Sequence, residues 1–143
     1  MKTLVIFDSN FGNTQRIAEV VAQELKAKAI SISEFKHEDL SGVGLLIVGS
    51  PIIGWRPTEK MGKFLSSLKK DQLKGVKAAS FDTRINIFFH GDATKQISAK
   101  LKGAGAILIM QPQFFYVKGK EGPLAQGELE RAKKWARSLN KEI

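Results

Sequence analysis

Apolar positions along this chain change period several times, and each change marks an element. The run Leu4-Val5-Ile6-Phe7 within residues 2–7 alternates only weakly, which predicts a first strand covered on both faces. From Thr14 to about Lys28 the period becomes helical. Ile17, Val20, Val21 and Leu25 fall on one face beside Ala18 and Ala22, and Glu19, Glu24 and Lys26 take the other. Ala29-Ile30-Ser31-Ile32-Ser33 then alternates apolar and polar, as a half-covered edge strand does. Residues 34–41 are too polar for a full helix and predict at most one turn from His37 to Leu40, with His37 on the surface. The unbroken apolar run 44–49 reads as a central parallel strand.

In the second half, Thr58 reads as the N-cap of a helix whose inner face holds Met61, Phe64, Leu65 and Leu68 and which stops before Gly75. Residues 76–81 form a fourth strand that leads into a loop at Asp82-Thr83-Arg84. The stretch 86–92 has three readings. Ile87, Phe88 and Phe89 pack under that loop, extend the fourth strand, or form an exposed apolar contact, and His90 is a lone histidine with no identifiable partner. Asp92 or Thr94 caps a helix to about Lys102, with Ile97 and Leu101 inward and Gly103 ending it. A fifth strand at 106–110 is interrupted by Gln111-Pro112-Gln113 before Phe114-Phe115-Tyr116-Val117. After a loop at 119–124, a last helix turns Leu129, Ala132, Trp135, Ala136 and Leu139 inward. This order of strands and helices predicts an α/β three-layer sandwich, a five-stranded parallel sheet between helices joined by right-handed crossovers. One domain over 1–143 is expected.

Composition narrows the class. The chain is 43% hydrophobic and 26% charged, which is globular. No apolar run approaches a membrane span, and the first residues enter a strand pattern with no signal-peptide organisation. The absence of cysteine excludes disulfides and thiol chemistry, and a cytoplasmic protein is expected. The formal net charge is +9. Residues 56–77 hold seven basic residues (Arg56, Lys60, Lys63, Lys69, Lys70, Lys74, Lys77) against Glu59 and Asp71. Such a run is a solvated helix face or a surface for an acidic partner. Nucleic acid is disfavoured, because helix-turn-helix, zinc and aromatic–basic strand signatures are all missing.

The candidate chemistry starts where the first strand ends. Ser9-Asn10-Phe11-Gly12-Asn13-Thr14 joins that strand to a helix N-terminus, whose free backbone N–H groups and dipole suit a phosphate. Ser9 and Thr14 bring hydroxyls, Asn10 and Asn13 bring amides, and Gly12 admits a positive φ. The alternative is a ligand-free turn capped by Thr14. The loop resembles the FMN phosphate loop of the flavodoxin family, Thr/Ser-x-Thr-Gly-x-Thr. Ser9, Gly12 and Thr14 match, while Phe11 stands where the family usually has a hydroxyl residue.

That resemblance implies strand order 2-1-3-4-5, which brings the loops after the first and third strands together at a switch point. It also implies FMN as cofactor and electron transfer between redox partner proteins as function. The loop Pro51-Ile52-Ile53-Gly54-Trp55 would then cover one side of the flavin, through Trp55 or through Ile53, unless Trp55 anchors the loop to the core. Asp82, Thr83 and Arg84 would form the other wall. Arg84 would either place positive charge near the reduced flavin or pair with Asp82 on the surface. No side chain is required as acid, base or nucleophile, and no metal ligand is assigned. Two other classes remain open: an FMN-dependent NAD(P)H:quinone-type reductase, and a flavin-free basic binding module.

Overall fold

The computed structural model describes residues 1–53, 55–86 and 92–143. A parallel sheet is formed by β1 (Lys2–Phe7), β2 (Lys28–Ser31), β3 (Val43–Pro51), β4 (Lys77–Ile85), β5 (Ile107–Leu108) and β6 (Gln113–Val117). The strand path is β2-β1-β3-β4-β5, and β6 also pairs with β4. The fifth position of the predicted order is thus shared by two short strands. β5 pairs with Lys77 and Ala78 at the start of β4, and β6 pairs with Phe81 to Ile85 at its end. Pro112, which lacks an N–H for the ladder, stands in the gap between them.

Helices α1 (Asn13–Glu24) and α4 (Glu128–Lys141) cover one face, and α2 (Glu59–Ser67) and α3 (Ala93–Gly103) cover the other. The predicted single turn forms as a 3₁₀ turn at His37–Leu40. Strand alternation deals the core to the two faces. Val5 and Phe7 join the α1/α4 core with Leu45 and Ile47, and Leu4 and Ile6 join the α2/α3 core with Leu46 and Val48. The α1/α4 core is built on an aromatic cluster, with Phe81, Phe115 and Trp135 edge-to-face at centroid distances of 5.9–6.0 Å. Gly49 makes room for it, because a Cβ there would lie 2.0 Å from the Phe81 ring.

The second strand ends at Ser31 rather than Ser33, the fifth shrinks to Ile107–Leu108, and at the cleft two strands run past their expected ends. β3 runs on to Pro51, and β4 runs to Ile85, so Asp82, Thr83 and Arg84 are strand residues rather than a loop. The ladder to β6 stabilises this extension, and burial of Asp82 and Arg84 as an ion pair lets a polar segment stay inside a sheet. The α4 end of the fold is tied by Glu128, a buried carboxylate. It accepts from Tyr116 N–H at 2.7 Å and from Arg131 Nη1 at 2.6 Å, while Arg131 Nη2 reaches the Phe114 carbonyl at 3.2 Å. No helix among the described residues is long and apolar enough to cross a membrane.

Candidate functional site

At the carboxyl ends of β1, β3 and β4 lies a cleft. Ser9, Asn10, Phe11, Asn13 and Thr14 line it from the first loop, Pro51, Ile52 and Ile53 from the end of β3 and the turn after it, and Thr83 and Arg84 from β4. Ten of the fourteen residues assigned from sequence therefore meet in one place. Ile85, Val117 and Lys120 line it as well and were not anticipated. Among the described residues no group of three or more His, Cys, Asp or Glu is placed to hold a metal.

The first loop has the geometry of an anion cradle. Gly12 takes φ 90° as the N-cap of α1, a conformation that a side chain would strain, and the space around its missing Cβ is open. The first helical bond runs from Arg16 N–H to the Gly12 carbonyl at 3.0 Å. The amides of Asn13, Thr14 and Gln15 consequently have no intrahelical acceptor, and the positive end of the dipole lies there. Ser9 Oγ accepts from Gly12 N–H at 3.0 Å, which shapes the loop and leaves the hydroxyl proton free to donate outward.

Two of the expected side-chain donors do something else. Thr14 does not cap the helix. It lies inside the first turn, facing β4, and its hydroxyl meets that of Thr83 at 2.9 Å. One hydroxyl of that pair donates to the other, and the second keeps its own proton for a ligand. The Asn13 side-chain amide donates to the Glu121 carbonyl at 3.1 Å, so it pins the 119–124 loop to the helix N-terminus.

The loop also rests on a strut that the sequence did not reveal. Asp8 is buried; its Oδ1 accepts from Ser9 N–H at 2.9 Å and its Oδ2 from the Thr58 hydroxyl at 2.5 Å. Thr58 Oγ1 in turn accepts from Met61 N–H at 3.2 Å as the N-cap of α2, and Thr58 N–H donates to Ser50 Oγ at 3.1 Å. The capping signal at Thr58 was visible in sequence. Its second bond, to a carboxylate fifty residues away, was not.

The turn after β3 is more regular than two prolines and a glycine suggested. Ile53 and Arg56 form an antiparallel bridge, with N–H to carbonyl distances of 2.7 and 3.1 Å, around a tight turn. Trp55 sits at its tip with φ 72° and is 59% exposed. Its carbonyl accepts from Gln96 Nε2 at 3.4 Å. The turn thus directs Trp55 away from the core and out of the cleft lining, and it leaves Ile53 to line the cleft. Gly54 lies outside the described residues, as do Ile87, Phe88, Phe89, His90 and Gly91.

On the far wall, Asp82 and Arg84 pair as one sequence reading proposed, but inside the protein rather than on its surface. Asp82 has no exposed area, and Arg84 donates to it from Nε at 2.8 Å and Nη2 at 2.6 Å. Arg84 Nη2 also lies 3.6 Å from Asp92, and its guanidinium sits 3.7 Å above the Phe114 ring. Burial raises the Asp82 carboxyl above its ordinary value; the bonds and charge of Arg84 oppose that shift, and the charge of Asp92 adds to it. Arg84 therefore brings a balanced ion pair, not a lone cation, to the cleft.

Comparison with known proteins gives the family and the fold. A family model described as a flavodoxin domain matches residues 4–117. The protein named flavodoxin from Maridesulfovibrio salexigens is 29% identical over 119 residues, which cover 76% of this chain and 81% of that one. The crystal structure of oxidised flavodoxin 1 from Bacillus cereus superposes with a TM-score of 0.85 at 20% identity, over 100% of this chain and 99% of that one. A flavodoxin from the domain Archaea gives 0.80 at 22% identity, covering 99% of this chain and 98% of that one. The two structural likenesses establish the fold, and the family match extends from β1 through β6: the chain belongs to the flavodoxin domain family.

Proposed function

We propose that this flavodoxin holds FMN in the cleft at the carboxyl ends of β1, β3 and β4 and carries electrons between redox partner proteins of the cytoplasm, at least one of them acidic. The observation that carries the reading is the first loop: three free amides of α1, a glycine N-cap in the left-handed region and the Ser9 hydroxyl converge where the family binds its phosphate. The residues fit the cofactor. The Ser9 hydroxyl, the Asn10 side-chain amide and the backbone amides of Asn13, Thr14 and Gln15 would hold the phosphate, with Gly12 shaping the turn, and Ile52 and Ile53 would cover the ring. Thr83 would offer a hydroxyl to its polar parts. When bound, FMN supplies the redox chemistry by accepting and releasing electrons through its ring system.

The protein's own contribution is binding, partial exclusion of water and charge. Ile53, exposed at 42%, and Phe11, exposed at 48%, flank the cleft mouth and would be covered by a flat apolar ring. Beside them a groove between α2 and α3 is edged by Arg56, Lys63 and Lys100, with Glu59 as its one carboxylate among the described residues. The exposed Trp55 and these cations have the composition of a docking surface for an acidic protein, in which an aromatic anchor gives affinity and charge gives approach rate.

The test uses the full chain. Stoichiometric binding of FMN with shifted visible bands and quenched fluorescence is expected. The reduced complex should react faster with an anionic one-electron oxidant than with a cationic oxidant of similar potential, and the ratio should fall in high salt. A chain that leaves micromolar FMN unchanged would contradict the cofactor reading. Equal rates with both oxidants would contradict the acidic partner.

A further inference from the structure

We propose that Lys120 is a phosphate-binding residue, supplying an ammonium counter-charge at the phosphate end of the cleft where Phe11 has removed a hydroxyl. The proposal rests on the FMN reading above. A phosphate monoester near neutral pH carries about −1.5 to −2 charge. Against it the helix N-terminus offers only about half a positive charge. Asp8 makes the balance worse, because its buried carboxylate is bonded to the backbone of Ser9 within the same loop.

Two cations are found among the described residues that line the cleft, Arg84 and Lys120. Arg84 is buried and bonded twice to Asp82, with Asp92 3.6 Å away, so its charge is already engaged. Lys120 lines the same cleft, next to Glu121, whose carbonyl is held by Asn13 of the first loop.

The position of Lys120 is set by structure and not by chance of a surface loop. Lys118 N–H donates to the Pro123 carbonyl at 2.8 Å, and Gly122 N–H to the Gly119 carbonyl at 2.9 Å, which closes the 118–123 turn. The Asn13 amide then holds the Glu121 carbonyl at 3.1 Å. Contact is close, since a Cβ on Gly122 would lie 2.6 Å from the Asn13 amide atoms. Asn13, the first residue of α1, thereby fixes the residue next to Lys120 against the cradle itself. A long flexible cation one residue from that anchor reaches the same cleft as Ser9, Asn10 and Thr14.

The test is a comparison of two ligands that differ by the phosphate alone. FMN and riboflavin are titrated into the full-length protein and its Lys120→Met variant, following flavin fluorescence. FMN affinity is expected to fall about five- to tenfold in the variant while riboflavin affinity stays unchanged. Lys120→Arg should keep most of the FMN affinity, and the wild-type advantage should shrink in high salt. FMN affinity unchanged in Lys120→Met, or lost in parallel with riboflavin affinity, would overturn the proposal while leaving the FMN reading intact. A wild-type protein that binds neither flavin would overturn both.

Discussion

The two faces of this sheet are built differently, although both began as the same apolar periodicity. The α1/α4 face is packed around the edge-to-face cluster of Phe81, Phe115 and Trp135, with Phe7 also buried, and carries the cleft loop at the start of α1. The α2/α3 face is mostly aliphatic, centred on Leu4, Ile6, Leu46, Met61, Ile97 and Leu101, with Phe64 as its one buried ring among the described residues. Both faces carry basic residues, and the longer run lies on the second. The basic run 56–77 lies in and around α2, and α3 adds Lys95, Lys100 and Lys102 with no acid of its own. In α1, Arg16 is outnumbered by Glu19 and Glu24, while α4 carries Arg131, Lys133, Lys134, Arg137 and Lys141 against Glu128 and Glu130. One face packs aromatic rings beside the cleft loop, and the other sets Arg56, Lys63 and Lys100 around the groove between α2 and α3. A protein that must hold a cofactor in a fixed place and also meet other proteins gains from keeping these tasks on separate surfaces.

Glycines give the sharpest contrast between the faces. Gly49→Ala should lose about 3 kcal/mol of stability, measured by urea unfolding, because the Phe81 ring fills the space its Cβ needs. A loss below about 0.5 kcal/mol would mean that the aromatic core repacks as easily as the aliphatic one. Thr58→Ala comes next, at about 1–2 kcal/mol, since it removes the α2 cap and the hydroxyl that satisfies buried Asp8. Weakened FMN binding should accompany it, because Asp8 holds Ser9. Gly62→Ala, in the middle of α2 with open space around its Cβ, should raise stability by about 0.5–1 kcal/mol.

The smallest effect concerns pH. The folded Asp82 carboxyl is held above its unfolded value, so its contribution favours folding below that unfolded value and is lost as pH rises through the folded one. Lowering pH from neutral into the carboxylate range should therefore raise wild-type stability relative to Asp82→Asn. The groups facing the carboxyl are Arg84, Asp92 and the backbone of Thr94. An unchanged difference between the two proteins across that range would contradict the shift.

The helices and the inner strands were legible because burial writes itself into spacing. The order of Ile17, Val21 and their neighbours, or the unbroken apolar run in β3, leaves little choice. What escaped was whatever depends on partners distant in sequence. Asp82 and Arg84 read as loop residues because neither is apolar, yet they share one face of β4 and neutralise each other there. Spacing of two between opposite charges was the available signal. Glu128 and Arg131 stand three apart on α4, and their bonds to β6 could not be inferred from α4 alone. Lys120 read as part of a polar loop, since only the Asn13–Glu121 bond brings that loop to the cradle. The outward position of Trp55 follows from a bridge between Ile53 and Arg56, and two prolines and a glycine had concealed that turn.

The central claim is that the free amides of α1 form the binding end of the cleft. It is tested most directly by a backbone amide correlation spectrum of labelled protein recorded during FMN addition. Large shifts at Asn13, Thr14 and Gln15, together with Gly12 and Thr83, are predicted, and the outer residues of α2 and α3 should hardly move. FMN that binds while those amides keep their positions would contradict the account.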